Sequence, residues 1–358
     1  MGSAKRRRRL RKSWQGRAAV DCQPSRVFVF MREHIGDVVN STAALYCLRR
    51  RFAEAYLCVE VGERAAEVLR NFPGIDELWL RPTHQGLWGK LQFIRRLRKG
   101  RFDLAVILDD SADMVLHAWL GGIPLRVGVR RKSRFQRLYT ACVPHHPSRH
   151  ETLEHFRDVV KLLGCDTSDY RPLLYPSSED VQTAGRELRQ AGWNGETPLV
   201  GIHPGASREH RQWFADRFAQ VCDMLAERGV QCVVIGGKRD LPLAQQILTN
   251  CRTHPLMLTG RLTILQTAAL MPLLRLLITA DSGPMHIAAA MGTKVVALYG
   301  VSDPVYTGPF GEGHVIIRHN EPCVGCTAER CVHDRECMKR IRAEEVLEAT
   351  AGILQLSL

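Results

Sequence analysis

The 358-residue sequence predicts an α/β protein built from two doubly wound halves. Short apolar runs, which are typical of buried parallel strands, alternate with amphipathic segments, which are typical of helices. The alternation begins near Arg26, stops at the proline-containing stretch Arg171–Ser178, and begins again at Leu199. We therefore expect two domains of similar size, joined by a linker, each large enough to bury its own core.

In the first half, alternating strands and helices predict a parallel sheet that is covered on both faces. The predicted strands are Arg26–Met31, Tyr56–Val61, Glu77–Leu80, Asp103–Leu108 and Leu125–Val129. The predicted helices are Val38–Phe52, Glu63–Asn71, Leu87–Lys99, Ser111–Leu120 and Glu151–Gly164.

The second half repeats this pattern and ends in a separate helix. Its predicted strands are Leu199–His203, Val230–Ile235, Leu256–Leu258, Leu273–Ile278 and Val295–Tyr299. Its predicted helices are Phe214–Arg228, Leu241–Cys251, Ile264–Met271, Pro284–Met291 and the closing Ala343–Leu356. The expected domains are a basic extension over 1–25, a first domain over 26–175, a second over 176–340 and a C-terminal helix over 341–358.

The net charge of +13 predicts an acidic partner, which can be a nucleic acid, an anionic membrane surface or a phosphorylated substrate. Much of the charge lies in Met1–Lys12. Two interpretations of this segment are open: attachment to anionic lipid, and a solvated tail. No apolar region follows this run, so it is not a secretory signal, and no run is long enough to span a membrane. We expect a cytoplasmic protein.

Eight of the twelve cysteines are scattered singly, which is typical of buried thiols in a reducing compartment. The other four, Cys323, Cys326, Cys331 and Cys337, lie within fifteen residues. Four thiols can bind zinc or an iron–sulfur cluster, although this spacing fits no standard zinc finger. A thiol cluster packed in a small loop is the alternative.

The turn between two apolar runs of the second half suits an anion-binding site. Asp281 to Pro284 follow a predicted strand and open a predicted helix. Ser282 is a good N-cap, Pro284 suits the first helical turn, and Gly283 lets the backbone approach a ligand. A helix start presents unpaired N–H groups and a positive dipole end, with His286 one turn further on. We interpret this turn as binding the diphosphate of a sugar nucleotide; an ordinary strand–turn–helix junction is the alternative.

Two other strand ends carry groups suited to chemistry, at the edge where open α/β sheets bind ligands. Asp37 follows the first strand, where its carboxylate can act as a general base towards a hydroxyl or can simply cap the helix at Val38. In the second half, the loop at 203–213 offers the Ser207 hydroxyl and the charges of Arg208 and Arg211 to a phosphate. A basic loop that faces solvent is the alternative there.

A fourth strand end, which contains Gly236, Gly237, Lys238, Arg239 and Asp240, is expected beside the base or ribose of a nucleotide. The Asp109–Asp110 pair ends a strand of the first half. We expect two acidic loop residues that face solvent or a basic neighbour, rather than a metal site. The Walker and G-x-G-x-x-G fingerprints, the nucleophile elbow, the kinase signature and the zinc-protease motif are absent from the sequence.

Together these segments resemble glycosyltransferase family 9, the ADP-heptose:lipopolysaccharide heptosyltransferases and their relatives. The similar segments are REHIGDVVNSTAAL at 32–45, HPGASREHRQWFADRFAQV at 203–221, VVIGGKRD at 233–240, TADSGPMHIAAAMGTKVVALYGVSDP at 279–304, and PCVGC and CM within 322–338. The similarity extends over about residues 26–350, and the segment at 279–304 is the most specific.

The resemblance implies a GT-B fold, in which two Rossmann-like domains face each other across a cleft. It implies an inverting transfer from a nucleotide-activated sugar that requires neither a metal nor another cofactor. The family's functional positions fall on Asp37 as the base, on Ser207 and Arg211 for the donor and its diphosphate, and on Asp281, Ser282, Gly283 and His286 for the donor sugar and diphosphate.

The resemblance also implies partners: an ADP-heptose donor, a lipopolysaccharide inner-core acceptor and the anionic cytoplasmic face of the inner membrane. Basic residues of the first half, among them Arg130, Arg131, Lys132 and Arg134, are expected to face the acceptor, unless they form solvated surfaces. A GT-B transferase or an epimerase that acts on another nucleotide sugar is the alternative. A nucleic-acid-binding protein is disfavoured because the basic residues lack interleaved aromatics.

Overall fold

The structure, a computed structural model, describes residues 20–81, 86–109, 111–130, 133–146, 148–319, 323 and 331–356. The chain divides into two compact units, Met1–Pro172 and Leu173–Leu358. Within the described residues, each unit contains a six-stranded, fully parallel sheet with flanking helices. The predicted α/β fold with two doubly wound halves is confirmed. Most of the predicted basic extension, residues 1–19, lies outside the described residues.

The first unit follows the predicted alternation and adds a sixth strand. Its strands are β1 (Arg26–Met31), β2 (Tyr56–Gly62), β3 (Glu77–Arg81), β4 (Leu104–Leu108), β5 (Leu125–Arg130) and β6 (Ala141–Pro144). Its helices are α1 (Ile35–Arg51), α2 (Leu87–Gly100), α3 (Ala112–Leu120) and α4 (Leu153–Leu162). The strand order is β3-β2-β1-β4-β5-β6.

The core on one face of this sheet is aromatic. The Phe28 ring makes edge-on contacts with Phe30, Trp79 and Phe102, with ring centroids 4.7, 5.0 and 4.9 Å apart. Edge-to-face pairs of this kind stabilise a core beyond the apolar area that they bury.

The predicted helix at Glu63–Asn71 is instead a 3₁₀ helix over Glu63–Leu69. Ala65 and Val68, three residues apart, are both buried. Side chains at this spacing line up on a 3₁₀ helix, because it has three residues per turn.

The second unit has the same strand order as the first. Its strands are β7 (Leu199–His203), β8 (Gln231–Val234), β9 (Leu256–Met257), β10 (Leu276–Ala280), β11 (Lys294–Tyr299) and β12 (Val315–Arg318), arranged β12-β11-β10-β7-β8-β9. Its helices are α5 (Ser178–Gln190), α6 (Ala215–Ala226), α7 (Leu241–Asn250), α8 (Ile264–Leu270), α9 (Gly283–Ala290), α10 (Pro304–Thr307), α11 (Glu336–Lys339) and α12 (Ala343–Leu354).

Strand β10 begins and ends later than predicted. The apolar run from Leu273 is divided, because residues Met271–Leu273 form a 3₁₀ turn after α8 and only Leu276–Ala280 join the sheet. The strand therefore extends to Ala280, and Asp281 follows it directly.

The C-terminal helix α12 packs onto the core of the second unit. Its Val346 and Leu347 belong to the same buried cluster as Trp213 and Phe218. The indole of Trp213 donates a hydrogen bond of 3.1 Å to the carbonyl of Ile341, just before this helix. The segment that the sequence set apart as a terminal helix is thus part of the second unit's core.

Candidate functional site

In both sheets the strand order reverses next to the first strand, between β1 and β4 and between β7 and β10. Chain connections leave in opposite directions at such a switch point, which opens a crevice at the carboxyl ends of the two strands. Asp37 follows β1, and Asp281 follows β10. Each unit therefore has predicted site residues at the position where open α/β sheets bind ligands.

Asp37 lies in the first turn of α1, which begins three residues earlier than predicted, at Ile35. The N-cap is His34, and no side chain caps this helix within the described residues. The interpretation of Asp37 as a cap for a helix at Val38 was therefore wrong. Its side chain is 26% exposed, so the carboxylate remains accessible to a substrate hydroxyl.

Arg32, which directly follows β1, connects Asp37 to a second carboxylate. Its guanidinium lies 3.4 Å from Asp37 Oδ2 and 2.7 Å from Glu151 Oε1. The Arg32 side chain is only 10% exposed, and its guanidinium carbon lies 5.7 Å from the centre of the Phe156 ring. Partial burial strengthens both ion pairs relative to pairs at the surface.

Glu151 lies just before α4, where side chains on both sides of it in sequence hold it in place. His145 Nε2 lies 3.4 Å from Glu151 Oε2, and the His145 ring stacks on His155 at 4.8 Å. The next residue, Thr152, is buried and accepts a 3.1 Å hydrogen bond from Asn40 of α1. The sequence analysis missed Arg32 and Glu151, because 119 residues separate the two partners.

A second cluster at the same sheet edge is centred on Arg81, the last residue of β3. Its guanidinium lies 2.9 Å from Glu60 Oε1 and 3.0 Å from Asp109 Oδ2, and it also donates to the carbonyl of Met31. Burial raises the pKa of Glu60 to about 8, and the charge of Arg81 offsets this only in part. Asp109 is therefore an ion-pair partner that ties strand ends together, and Asp110 lies outside the described residues.

In the second unit, Arg211 and Asp281 form a partly buried ion pair. Arg211 Nη1 lies 3.1 Å from Asp281 Oδ2, and the Asp281 side chain is 9% exposed. Arg211 ends the short 3₁₀ helix Glu209–Arg211, and Asp281 immediately precedes the turn into α9. Two segments that are 70 residues apart in sequence are thereby joined at one end of the sheet.

Ser282 occupies the N-cap position of α9, but its side chain does not cap the helix. Its Oγ lies 2.9 Å from Thr279 Oγ1 and 3.2 Å from His203 Nδ1, and those two atoms are 3.0 Å apart. The hydroxyl is thus turned towards β7 and β10, and it leaves the amide groups of the first helical turn to another acceptor. An anion is a suitable acceptor at this position.

Asp240 supports the same region from the β8 side. Its carboxylate lies 3.6 Å from His203 Nε2 and accepts a 2.8 Å hydrogen bond from the Gly237 amide. A Cβ at Gly205 would collide with this carboxylate, and Gly236 has a φ of +150° beside it. Burial raises the pKa of Asp240, but the contacts with His203 and Gly237 outweigh it, and the net pKa lies below its ordinary value. Asp240 belongs to the strand end that the sequence predicts beside a nucleotide, but its contact with His203 was not predicted.

The remaining predicted site residues differ in exposure. Gly283 opens α9, and His286 is buried one turn further. Ser207 and Lys238 are exposed. Of the predicted acceptor contacts, Arg130 and Arg134 are exposed, whereas Arg131 and Lys132 lie outside the described residues.

Three of the four clustered cysteines are described. Cys337 is buried, and Cys323 packs against the core of the second unit. Burial and the neighbouring thiols raise the pKa of Cys337. Among the residues that the structure describes, no group of three or more His, Cys, Asp or Glu side chains is arranged to hold a metal; Cys326 lies outside them.

A family model described as glycosyltransferase family 9 (heptosyltransferase) matches residues 90–336, well over half of the chain. The chain belongs to glycosyltransferase family 9. It is 26% identical over 309 residues to lipopolysaccharide heptosyltransferase 2 of Escherichia coli K12, a match that covers 82% of this chain and 88% of that relative.

Two solved structures are similar to this family 9 glycosyltransferase over nearly its whole length. A family 9 glycosyl transferase from Veillonella parvula superposes with a TM-score of 0.85 at 25% identity, covering 94% of this chain and 99% of the other. The E. coli ADP-heptose lps heptosyltransferase II superposes with a TM-score of 0.74 at 24% identity, covering 92% and 98%. The GT-B fold expected from the sequence is thereby confirmed, and the protein is an enzyme of the glycosyltransferase class.

None of the described helices combines the length with the apolar character that crossing a membrane requires.

Proposed function

We propose that this glycosyltransferase moves a heptose from ADP-heptose to the inner core of lipopolysaccharide, with inversion at the anomeric carbon. The observation that carries the proposal is the Arg211–Asp281 ion pair beside the start of α9, at the switch point of the second sheet. A cation and a helix N-terminus at one point suit a diphosphate. The names of the E. coli relatives supply the heptose and the lipopolysaccharide.

The acceptor hydroxyl is activated by Asp37. As the hydroxyl oxygen attacks the anomeric carbon, its proton passes to the Asp37 carboxylate, and the bond between that carbon and the diphosphate breaks. Inversion requires the base and the leaving group on opposite faces of the sugar. Asp37 belongs to the first unit, and the residues proposed to bind the diphosphate belong to the second. A positioned general base of this kind contributes roughly 10²–10⁴ in rate.

The leaving group is ADP, on which negative charge grows as the bond breaks. Arg211 and the amides at the start of α9 stabilise that charge where it develops. A helix N-terminus contributes about 0.3–1 kcal/mol, rising to about 2 when partly buried, so positioning of the two substrates supplies much of the remainder.

Asp281 keeps Arg211 in place and contacts the donor sugar together with Ser282, Gly283 and His286. Ser207 adds a hydroxyl contact to the donor, and Gly236, Gly237 and Lys238 lie near the nucleoside. Arg130, Arg131, Lys132 and Arg134 attract the anionic acceptor at a distance.

The reaction requires no metal and no cofactor, because Arg211 and backbone amides supply the positive charge. The buried Asp281 carboxylate is paired with Arg211, so it is a poor ligand for a divalent cation. The enzyme works at the cytoplasmic face of the inner membrane, where its lipid-linked acceptor lies, and its basic charge serves that acceptor and surface rather than a nucleic acid.

The test is to incubate the full-length enzyme with a panel of nucleotide sugars and truncated lipopolysaccharide cores, and to read product masses. We expect one heptose to be added from ADP-heptose, and none to be transferred without acceptor. Turnover of a nucleotide sugar in the absence of acceptor would indicate an epimerase. Transfer of another sugar would show that the donor is a different nucleotide sugar.

A further inference from the structure

Helix α2 exposes three large apolar side chains near its start. Leu87 is 76% exposed, Trp88 74% and Leu91 39%. Leu91 lies four residues after Leu87 and three after Trp88, so it is a neighbour of both on the helix surface. Single exposed apolar residues are ordinary in a globular protein, whereas a contiguous apolar group indicates an interaction site.

The second half of the same helix is basic. Helix α2 contains five Lys or Arg residues and no acidic residue. Arg95, Arg98 and Lys99 are exposed, and at 100° per residue they lie on the same side of the helix as Leu87 and Leu91.

These three basic residues keep their charge available to a partner. Within the described part of the chain no ion pair involves them, and the Arg98 guanidinium donates only to the carbonyl of Leu120. Arg96 differs, because its guanidinium stacks 3.6 Å from the Trp79 ring and pairs with Glu77.

The position of α2 in the first unit places one end of this surface near Asp37, the proposed base. Strands β1 and β3 belong to one parallel sheet, so their carboxyl ends lie at the same edge. Asp37 follows β1, and α2 begins six residues after the end of β3. The apolar start of α2 therefore lies at the sheet edge that carries Asp37, and the basic end points away from that edge.

We infer that the exposed face of α2 docks on an anionic lipid membrane, with Leu87, Trp88 and Leu91 in the interface and Arg95, Arg98 and Lys99 on headgroup phosphates. Tryptophan beside leucine, followed by basic residues, is the composition of helices that lie in a membrane interface. An acidic protein would use the charges but not the apolar side chains, and a nucleic acid would leave all three apolar residues in water. The inference rests on the proposed function only in that a lipid-linked acceptor would then be presented beside Asp37.

The first test measures co-flotation of the full-length protein with vesicles of phosphatidylethanolamine and phosphatidylglycerol. Replacing Leu87, Trp88 and Leu91 together by serine is expected to weaken binding about tenfold or more. The matched control replaces Val181 and Leu241, two exposed apolar residues of the second unit, and is expected to bind as the parent does. Equal binding by all three proteins would overturn the inference.

The second test locates the contact in a Trp14→Phe background, because Trp14 lies next to the basic residues near the N-terminus and would report any attraction of those residues to lipid. Vesicles that contain brominated phosphatidylglycerol quench the fluorescence of tryptophans that enter the interface. Trp88→Phe should remove most of the quenching while binding persists, whereas Trp119→Phe, which alters a half-exposed tryptophan of α3, should not. Quenching that survives Trp88→Phe would place the contact elsewhere and contradict the inference.

The third test separates this inference from the proposed function. The triple serine variant should transfer sugar to a delipidated, water-soluble core at the parent's rate, and to an acceptor embedded in vesicles about tenfold more slowly. Equal loss on both acceptors would overturn the docking role. Absence of transfer by the parent protein on the soluble core would refute the proposed function without bearing on flotation or quenching.

Discussion

Glu151 holds the Arg32 guanidinium at 2.7 Å, closer than the 3.4 Å that separates Arg32 from Asp37. Arg32 is thus a cation shared between two carboxylates, and the shorter contact is with the carboxylate that does not take part in the proposed reaction. Glu151 therefore holds Arg32 in place, and Arg32 in turn orients the Asp37 carboxylate through the longer of its two contacts.

Replacing Arg32 should slow transfer more than replacing Glu151. Arg32→Met removes the cation that orients Asp37, so kcat/KM should fall by about tenfold to a hundredfold. Glu151→Gln leaves Arg32 beside Asp37 but removes its closer partner, so the loss should be smaller. The measurement is kcat/KM for the acceptor at saturating donor, with ADP affinity measured on the same preparations.

Glu154→Gln is the matched control for this pair, because Glu154 lies on the same helix and pairs with Arg149 instead. Its kcat/KM should equal the parent's. Loss of ADP affinity together with transfer in Arg32→Met and Glu151→Gln would show that the two residues act only through the fold.

Arg211→Gln should weaken the binding of ADP by about tenfold to a hundredfold, since hydrogen bonds to charged groups contribute about 1.5–3 kcal/mol. Asp281→Asn should bind ADP as tightly as the parent or more tightly, because the carboxylate no longer competes for Arg211, while transfer falls. Titration calorimetry with ADP measures both.

Arg252→Gln provides the comparison for Arg211, because Arg252 is an exposed arginine of the same unit that pairs with Asp223. It should leave ADP affinity unchanged. An Arg211→Gln variant with the parent's affinity for ADP would remove Arg211 from the diphosphate site.

Glu60 should make the enzyme less stable as the pH rises. Its pKa of about 8 lies above the ordinary value of 4.5, so between these values the native state binds a proton that the unfolded chain does not. The free energy of unfolding therefore falls with increasing pH across this window, by at most about 1.4 kcal/mol per pH unit from this group. The stability that Glu60 contributes is fully present below pH 4.5 and is lost above about pH 8.

Glu60→Gln keeps the neutral form at every pH and removes this dependence. Thermal unfolding should give the variant and the parent the same stability near pH 4.5. Above about pH 8, the variant should be the more stable of the two. Glu63→Gln alters an exposed neighbour and should follow the parent. Parallel loss of stability in the parent and in Glu60→Gln would refute the assignment.

Transfer should continue in EDTA, because Arg211 and the start of α9 supply the charge that stabilises the departing ADP. The initial rate after exhaustive dialysis against chelator should stay within about twofold of the untreated enzyme. A loss of activity that Mg²⁺ restores would show that a divalent ion takes part, and would require a different assignment for Asp281.

The order of elements could be read from the sequence because buried parallel strands are continuous apolar runs. The elements that it missed lack this property. Strand β12 is a partly exposed edge strand of four residues. Helix α5 has a mostly polar sequence, although its start carries a capping box, Ser177 with Asp180, that could have revealed it.

The parts of the candidate sites that lie on local motifs were predictable, and their long-range partners were not. Asp37 and Asp281 each follow a strand, and a strand end can be recognised in sequence. Glu151 and Asp240 act through Arg32 and His203, and such pairings depend on how the chain folds back on itself. The direction of the Ser282 hydroxyl, away from its helix, depends likewise on His203.

Asp37→Asn separates activation of the acceptor by Asp37 from binding of ADP by the second unit. Sugar transfer to a truncated core, read by product mass, is compared with ADP affinity measured on the same preparation. We expect transfer to fall by about 10²-fold or more while ADP affinity is unchanged. Transfer at the parent's rate, or a loss that follows weakened ADP binding, would show that Asp37 is not the base.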